Sequence, residues 1–294
     1  MVGPTAVGKT AVALELARQL DGELISFDSR QVYRGVEVSS NAPTAAEVGT
    51  TPVHLVSVMN PTEPVTAASY VAMVRRAAAS ARGPLVLTAG TGLYLKAYLD
   101  GLDLGGMGAV AGLRQQLEEE AKRDLPGLAR RLRELSPELA ERTDLANPVR
   151  VVRRMELLWA AALAEESRID SPTNPPVDAI KIGLGRSAAS LEAAIAARVE
   201  AMLLGGWREE VEALLALDPP ACPQVAKSIG VAEMAAHIHG RASIEDTRTA
   251  VIVRTRQYAK RQRTWFRGDP QVTWVEVGNK TSSDIVADIL EMIA

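Results

Sequence analysis

The chain has 294 residues, 47% apolar but only 4% aromatic, so Ala, Val and Leu must fill a core large enough for one sizeable domain or one domain plus a smaller one. A net charge of −3 excludes a globally basic nucleic-acid binder, though not a local basic surface. One cysteine, Cys222, excludes a disulfide framework and a cysteine-rich zinc site, and His54, His237 and His239 are too scattered for a metal cluster. No apolar run reaches the roughly 18–20 residues of a membrane span and no signal sequence stands before the first motif, so a cytoplasmic protein with no membrane partner is expected.

In chain order, the first motif is Gly3, Pro4, Thr5, Ala6, Val7, Gly8, Lys9 and Thr10, the pattern G-x-x-x-x-G-K-[ST] of a phosphate-binding loop. Its glycines let successive N–H groups turn inward toward an anion, Lys9 adds a positive charge, and the Thr10 hydroxyl is placed for Mg²⁺. A helix over Thr10–Leu20, with Val12, Leu16 and Leu20 as its apolar stripe, would aim its positive end at the same phosphates. Only Met1 and Val2 precede Gly3, so the strand expected to lead into the loop is two or three residues long or begins upstream of this sequence.

Apolar runs at Leu24–Phe27, Val53–Val58, Pro84–Ala89, Ala179–Leu184 and Val272–Val275 read as strands of a buried parallel sheet. Helical stretches such as Ala67–Arg82 and Ser190–Leu217 alternate with them. The expected fold is α/β: a P-loop NTPase-like parallel sheet flanked by helices, with a helical insertion. Residues 1–107 and 169–294 form the expected core and 108–168 the insertion, a natural lid or partner-binding device. The insertion shows helical periodicity at Leu113, Leu117, Leu128, Leu132 and Leu135, and the hinges are expected in Gly101–Gly112 and Asp170–Pro176.

Three further stretches carry chemistry. Asp28-Ser29-Arg30-Gln31 follows the second expected strand, at the end of the sheet where ligands bind. Asp28 there suits a water-bridged Mg²⁺ contact, a general base, or merely the cap of the next turn. Ser29 and Gln31 are neutral hydrogen-bonders of the kind that read base edges. Thr91, within Gly90-Thr-Gly92, offers a hydroxyl where the backbone permits close approach, or is a simple strand-to-helix turn. No carboxylate closes a hydrophobic strand in the manner of a Walker-B motif. The run from Arg248 to Arg267 holds seven cations, Lys260, Arg261 and Arg263 among them, without one acid, and Tyr258, Trp265 and Phe266 are interleaved. Such a run suits phosphates and unpaired bases, against the alternative of a solvated helix face. Arg150 and Arg153 form a second basic cluster in the insertion.

GPTAVGKT, DSRQVYRG, GTGLYLKA and RQYAKRQRTWFR, in this order and spacing, resemble the bacterial-type tRNA dimethylallyltransferases, and the resemblance extends over nearly the whole chain through KIGLGR, GGWREEV and SIG. It implies transfer of a dimethylallyl group from dimethylallyl diphosphate to N6 of the adenosine 3′-adjacent to the anticodon, with Mg²⁺ as cofactor and the tRNA anticodon stem-loop as partner of a monomer. On that resemblance residues 3–10 hold the pyrophosphate, and Lys9 and Thr10-bound Mg²⁺ neutralise it. Asp28 is the general base and Thr91 contacts substrate. Ser29, Arg30, Gln31, Arg150 and Arg153 meet the tRNA. Where many members of that family carry other residues, this chain has Ala42, Ser57, Ala194 and Lys227-Ser-Ile-Gly-Val231. An isopentenyltransferase for free adenine nucleotides would share the loop and Asp28 but need neither insertion nor basic run. A small-molecule P-loop kinase would need a second Mg²⁺-binding carboxylate.

Overall fold

The computed structural model describes residues 1–101, 112–164 and 176–293, with residues 160–164 as backbone alone. Contacts divide the chain into two compact units, Met1–Leu102 with Pro175–Ala294, and Asp103–Asn174. The expected hinges lie almost wholly outside the described residues.

The larger unit is built on one parallel sheet. Its described strands are β1 (Glu23–Phe27), β2 (Val53–His54), β3 (Leu85–Ala89), β4 (Lys181–Gly185) and β5 (Val272–Glu276). β1 lies between β2 and β3, and β4 pairs with β5, every pairing parallel. Among the described residues the two groups are joined by backbone pairing at a single residue. Val2 bridges Ala89 on one side and Gly183 on the other, and its N–H and C=O bond Ile182 O (2.8 Å) and Leu184 N (2.9 Å). The strand expected before the phosphate loop is thus one rung wide. All five residues of β1 are buried, as a strand covered on both faces must be.

Two expected elements are shorter than the apolar runs suggest. β2 stops at His54 because Leu55 and Ser57 take φ of +63° and +50°, which no extended strand tolerates. The run Ser190–Leu217 is two helices, Ala188–Leu204 and Trp207–Leu215, broken at Gly205-Gly206, where Gly206 turns at φ +83°. The other expected elements hold to within two residues: Lys9–Gln19 and Ala67–Ser80 are helices, the second begun by a Thr66–Ser69 capping box. A long helix, Ile244–Arg267, carries the basic run. It opens on a Ser243–Asp246 capping box and buries Val251, Thr255, Ala259, Gln262 and Phe266 along one stripe.

The smaller unit is helical. Leu113–Leu135 and Pro148–Ala164 enclose a core of Leu117, Leu128, Leu132, Val151, Val152 and Met155, with the short helix Pro137–Glu141 beside them. The first helix kinks at Asp124, whose Oδ1 accepts from Gly127 N (2.8 Å) and so caps the second half, two residues ahead of Pro126.

Candidate active site

The phosphate loop turns because two glycines allow it. Gly3 has φ +139°, and a Cβ there would lie 2.7 Å from Leu184 O, so any side chain would collide with β4. Gly8 has φ +103° and leads into the helix Lys9–Gln19, whose first N–H groups have no side-chain cap. Lys9 Nζ donates to Gly3 O (3.0 Å) and Pro4 O (2.9 Å), folding the ammonium across the loop. Burial pushes its pKa down to about 8, against the pull of Asp28 and with the push of Arg198.

The chain leaves β1 into Asp28, which answers the turn-cap question and leaves an oxygen over. Oδ1 accepts from Arg30 N (2.8 Å) and, at 3.4 Å, faces Gln31 N, forming an Asx turn. Oδ2 makes no hydrogen bond among the described residues and lies 3.2 Å from where a Cβ on Gly90 would be. Tyr70, packed at tilted angles against Phe27 and Tyr94, donates its hydroxyl to Ser26 O and so holds the backbone leading into this turn. Arg30 folds onto Ser29 O (3.2 Å). Gln31 departs from the expectation that it reads a base. Its side chain is buried and spent at both ends, Oε1 accepting from Ser26 Oγ (2.9 Å) and Nε2 donating to Asn41 O (2.9 Å). It braces the 39–41 segment instead.

Thr91 N-caps the next helix, Gly92–Leu99, without a side-chain bond. Its Oγ1 is buried with no hydrogen-bond partner among the described residues, and the neighbouring Tyr258 hydroxyl donates to Gly90 O (3.3 Å). Burial and the charge of Asp28 raise the Tyr258 pKa to about 12, so this phenol keeps its proton. Two side chains that the sequence motifs left in the background complete the floor. Arg198 donates to Thr5 Oγ1 (2.8 Å) and Ser39 O (3.3 Å) and faces Asp28, while burial lowers its pKa. Gln262 accepts from Thr5 N (2.8 Å) and donates to Gly90 O (2.8 Å). Gln262 was hidden among cations, although it is the one amide on the buried stripe of its helix.

These residues line two adjoining cavities. The smaller, about 250 Å³, runs along the phosphate loop past Lys9, Thr10 and Gln31 to Ala194. The larger, about 450 Å³, is lined by Ser29, Arg30, Thr91, Tyr258 and Arg261. Asp28, Thr5, Ser40 and Arg198 line both.

The basic run divides in two. Arg248, Arg254 and Arg256 are ion-paired with Glu200, Glu233 and Glu192. Lys260, Arg261, Arg263 and Arg267 have no acid partner among the described residues, and Arg261 lies over the Tyr258 ring at 5.8 Å. Arg150 and Arg153 belong to the smaller unit, paired there with Asp144 (3.6 Å) and Glu156 (2.9 Å).

Residues 31–269 match the model of the family described as IPP transferase. The chain is 36% identical to the tRNA dimethylallyltransferase of Syntrophobacter fumaroxidans over 95% of its own length and 83% of that protein's. It is 40% identical to that of Anaeromyxobacter dehalogenans over 94% and 91%. Its fold matches the crystal structure of the full-length tRNA isopentenylpyrophosphate transferase of Bacillus halodurans with a TM-score of 0.67 and 30% identity, covering 99% of this chain and 93% of that one. With most of its length matched in both sequence and fold, the chain belongs to the IPP transferase family.

Proposed function

We propose that the protein transfers a dimethylallyl group from dimethylallyl diphosphate to N6 of the adenosine 3′-adjacent to the anticodon of tRNA, releasing pyrophosphate. The observation that carries the reading is the place of Asp28, whose carboxylate borders both the phosphate-loop cavity and the larger cavity beside it.

In this reading the smaller cavity takes the diphosphate. The loop N–H groups, Lys9 and Arg198 meet its charge, and bringing that dianion to Lys9 restores the ammonium that burial disfavours. The larger cavity takes the adenine, which must leave the stack of its loop to enter. N6 attacks the allylic carbon, the C–O bond to pyrophosphate breaks, and Asp28 Oδ2 takes the proton lost by N6. The Asx turn through Oδ1 aims the carboxylate, so its two oxygens divide the work of holding and of proton transfer. Pyrophosphate departs and no phosphoryl group moves.

Mg²⁺ fits the donors present. Thr10 and Asp28 line the smaller cavity and offer the oxygen donors that a hard divalent ion takes. An ion that fills most of its shell with phosphate oxygens and water suits that sparse set. When bound, with Thr10 as its protein ligand, it supplies charge neutralisation of the leaving group.

Lys260, Arg261 and Arg263 serve as phosphate contacts for the tRNA, and Arg150 and Arg153 of the smaller unit as further ones. In this reading the chain acts as a monomer. The test is a transfer assay with Mg²⁺, labelled dimethylallyl diphosphate and unmodified tRNA, run beside AMP. Label in tRNA alone is the expected result. Label in AMP moves the chain to the free-nucleotide enzymes, and label in neither refutes the transfer reading.

A further inference from the structure

Two loops must keep a fixed spacing if the proposed reaction is to occur: the phosphate loop, which would hold the leaving group, and the turn at Gly90, against which Asp28 Oδ2 is placed. Beyond the Val2 rung, their backbones make no hydrogen bond with each other among the described residues. Gln262 is the one described side chain that bonds both, accepting from Thr5 N (2.8 Å) and donating to Gly90 O (2.8 Å). It is 5% exposed, held on a helix stripe between Ala259 and Phe266. A Cβ on Gly90 would be 3.2 Å from both Gln262 Nε2 and Asp28 Oδ2, so amide and carboxylate flank the same small space. The amide uses one donor and one acceptor in opposite directions, a pairing that neither a carboxylate nor an apolar chain reproduces.

We infer that Gln262 is a positioning residue for the transfer: its amide ties Thr5 of the phosphate loop to Gly90 and thereby fixes the diphosphate relative to Asp28. This rests on the function proposed above. It differs from the role proposed for Lys260, Arg261 and Arg263 on the same helix, whose cationic side chains have no acid partner among the described residues and are assigned to tRNA phosphates.

Two substitutions test it. Gln262→Met keeps the length and removes both bonds. It should lower kcat about 10²-fold, as a misplacement of about 1 Å does, and leave KM for tRNA within about twofold. Gln262→Glu is the conservative variant with a proton switch. Ionised, it sets an acceptor against Gly90 O and a second negative charge beside Asp28. Protonated, its C=O accepts from Thr5 and its O–H donates to Gly90, restoring both bonds. Burial and the nearby Asp28 raise its pKa above an ordinary glutamate's. The ratio of Gln262→Glu to wild-type kcat should therefore rise as pH falls, by up to about tenfold per pH unit above that pKa.

A flat ratio, or a Gln262→Met enzyme within twofold of wild-type kcat, overturns the inference. Should Gln262→Met fail to fold, the Gln262→Glu pH ratio decides alone. Calorimetry with inorganic pyrophosphate supplies a readout that needs no turnover: Gln262→Met should bind it about tenfold more weakly, the loss expected from freeing one buried loop bond. Unchanged pyrophosphate affinity counts against the tie even if the wild-type protein fails to prenylate tRNA. Weakened affinity in that case upholds the tie while the proposed reaction falls.

Discussion

Replacing Asp28 by Asn or by Ala separates the two jobs assigned to its oxygens. Asn keeps an acceptor at the Oδ1 position for Arg30 N (2.8 Å) and puts an amide where the base stood. Ala removes both. The lost cap is worth about 1 kcal/mol, which for a unit of this size corresponds to a melting temperature about 2–4 °C lower for Asp28→Ala than for Asp28→Asn. Turnover should fall in both by about 10²–10⁴, the usual contribution of a general base. Either change also removes the negative charge that raises the pKa of Lys9 and opposes an incoming anion. Losing Asp28 lowers the Lys9 pKa below its value of about 8, so the comparison is made at pH 6, where affinity for pyrophosphate should hold or rise. The assays are steady-state transfer to tRNA, thermal melting and pyrophosphate calorimetry. An Asp28→Asn enzyme within tenfold of wild-type turnover would falsify the base assignment, and equal melting points for the two variants would remove the cap.

The Lys9 pKa of about 8 sets a pH window. Bound pyrophosphate raises that value toward the ordinary 10.5, so affinity should weaken above pH 8, by up to about tenfold per unit, and the slope contributed by this group should vanish in Lys9→Met. Gly3→Ala places a Cβ 2.7 Å from Leu184 O at φ +139°, and urea denaturation should show a loss of at least about 2 kcal/mol. Arg261→Ala and Arg263→Ala should each reduce the slope of log affinity for tRNA against log salt by about 1, and an unaltered slope returns both to the role of a solvated face. Arg254→Ala should keep that slope and instead cost about 1–2 kcal/mol in denaturation, because it leaves the buried Glu233 carboxylate unpaired.

The phosphate loop and the parallel strands were legible because local spacing encodes them: glycines where φ must be positive, and apolar runs where both faces are covered. The end of β2 was not legible, since nothing in Leu55 or Ser57 announces a positive φ that tertiary bonds to Gln31 O and Val32 O impose nearby. The break after Leu204 was legible in Gly205-Gly206 and was overridden by the helical period on either side. At the site, Lys9, Thr10, Asp28 and Thr91 stand around adjoining cavities, as their places at strand ends imply. The division of the basic run was hidden, because the acids that pair Arg248, Arg254 and Arg256 lie on other helices. Gln262 was hidden for the same reason: its partners are 257 and 172 residues away in the chain.

The single rung at Val2 has a consequence for how the site assembles. β1 to β3 draw on a stretch of chain ending at Ala89, and β4 with β5 on residues beyond Lys181, so each half-sheet can form from its own segment. Among the described residues Val2 alone pairs the two half-sheets by backbone, and it is immediately followed by the phosphate loop. Closing this seam joins segments far apart in sequence, a step with a high entropic cost that is expected late in folding. The anion site therefore comes into being at the moment of closure. An anion that binds only the closed form adds to its stability by mass action, making pyrophosphate a latch on the seam as well as a product.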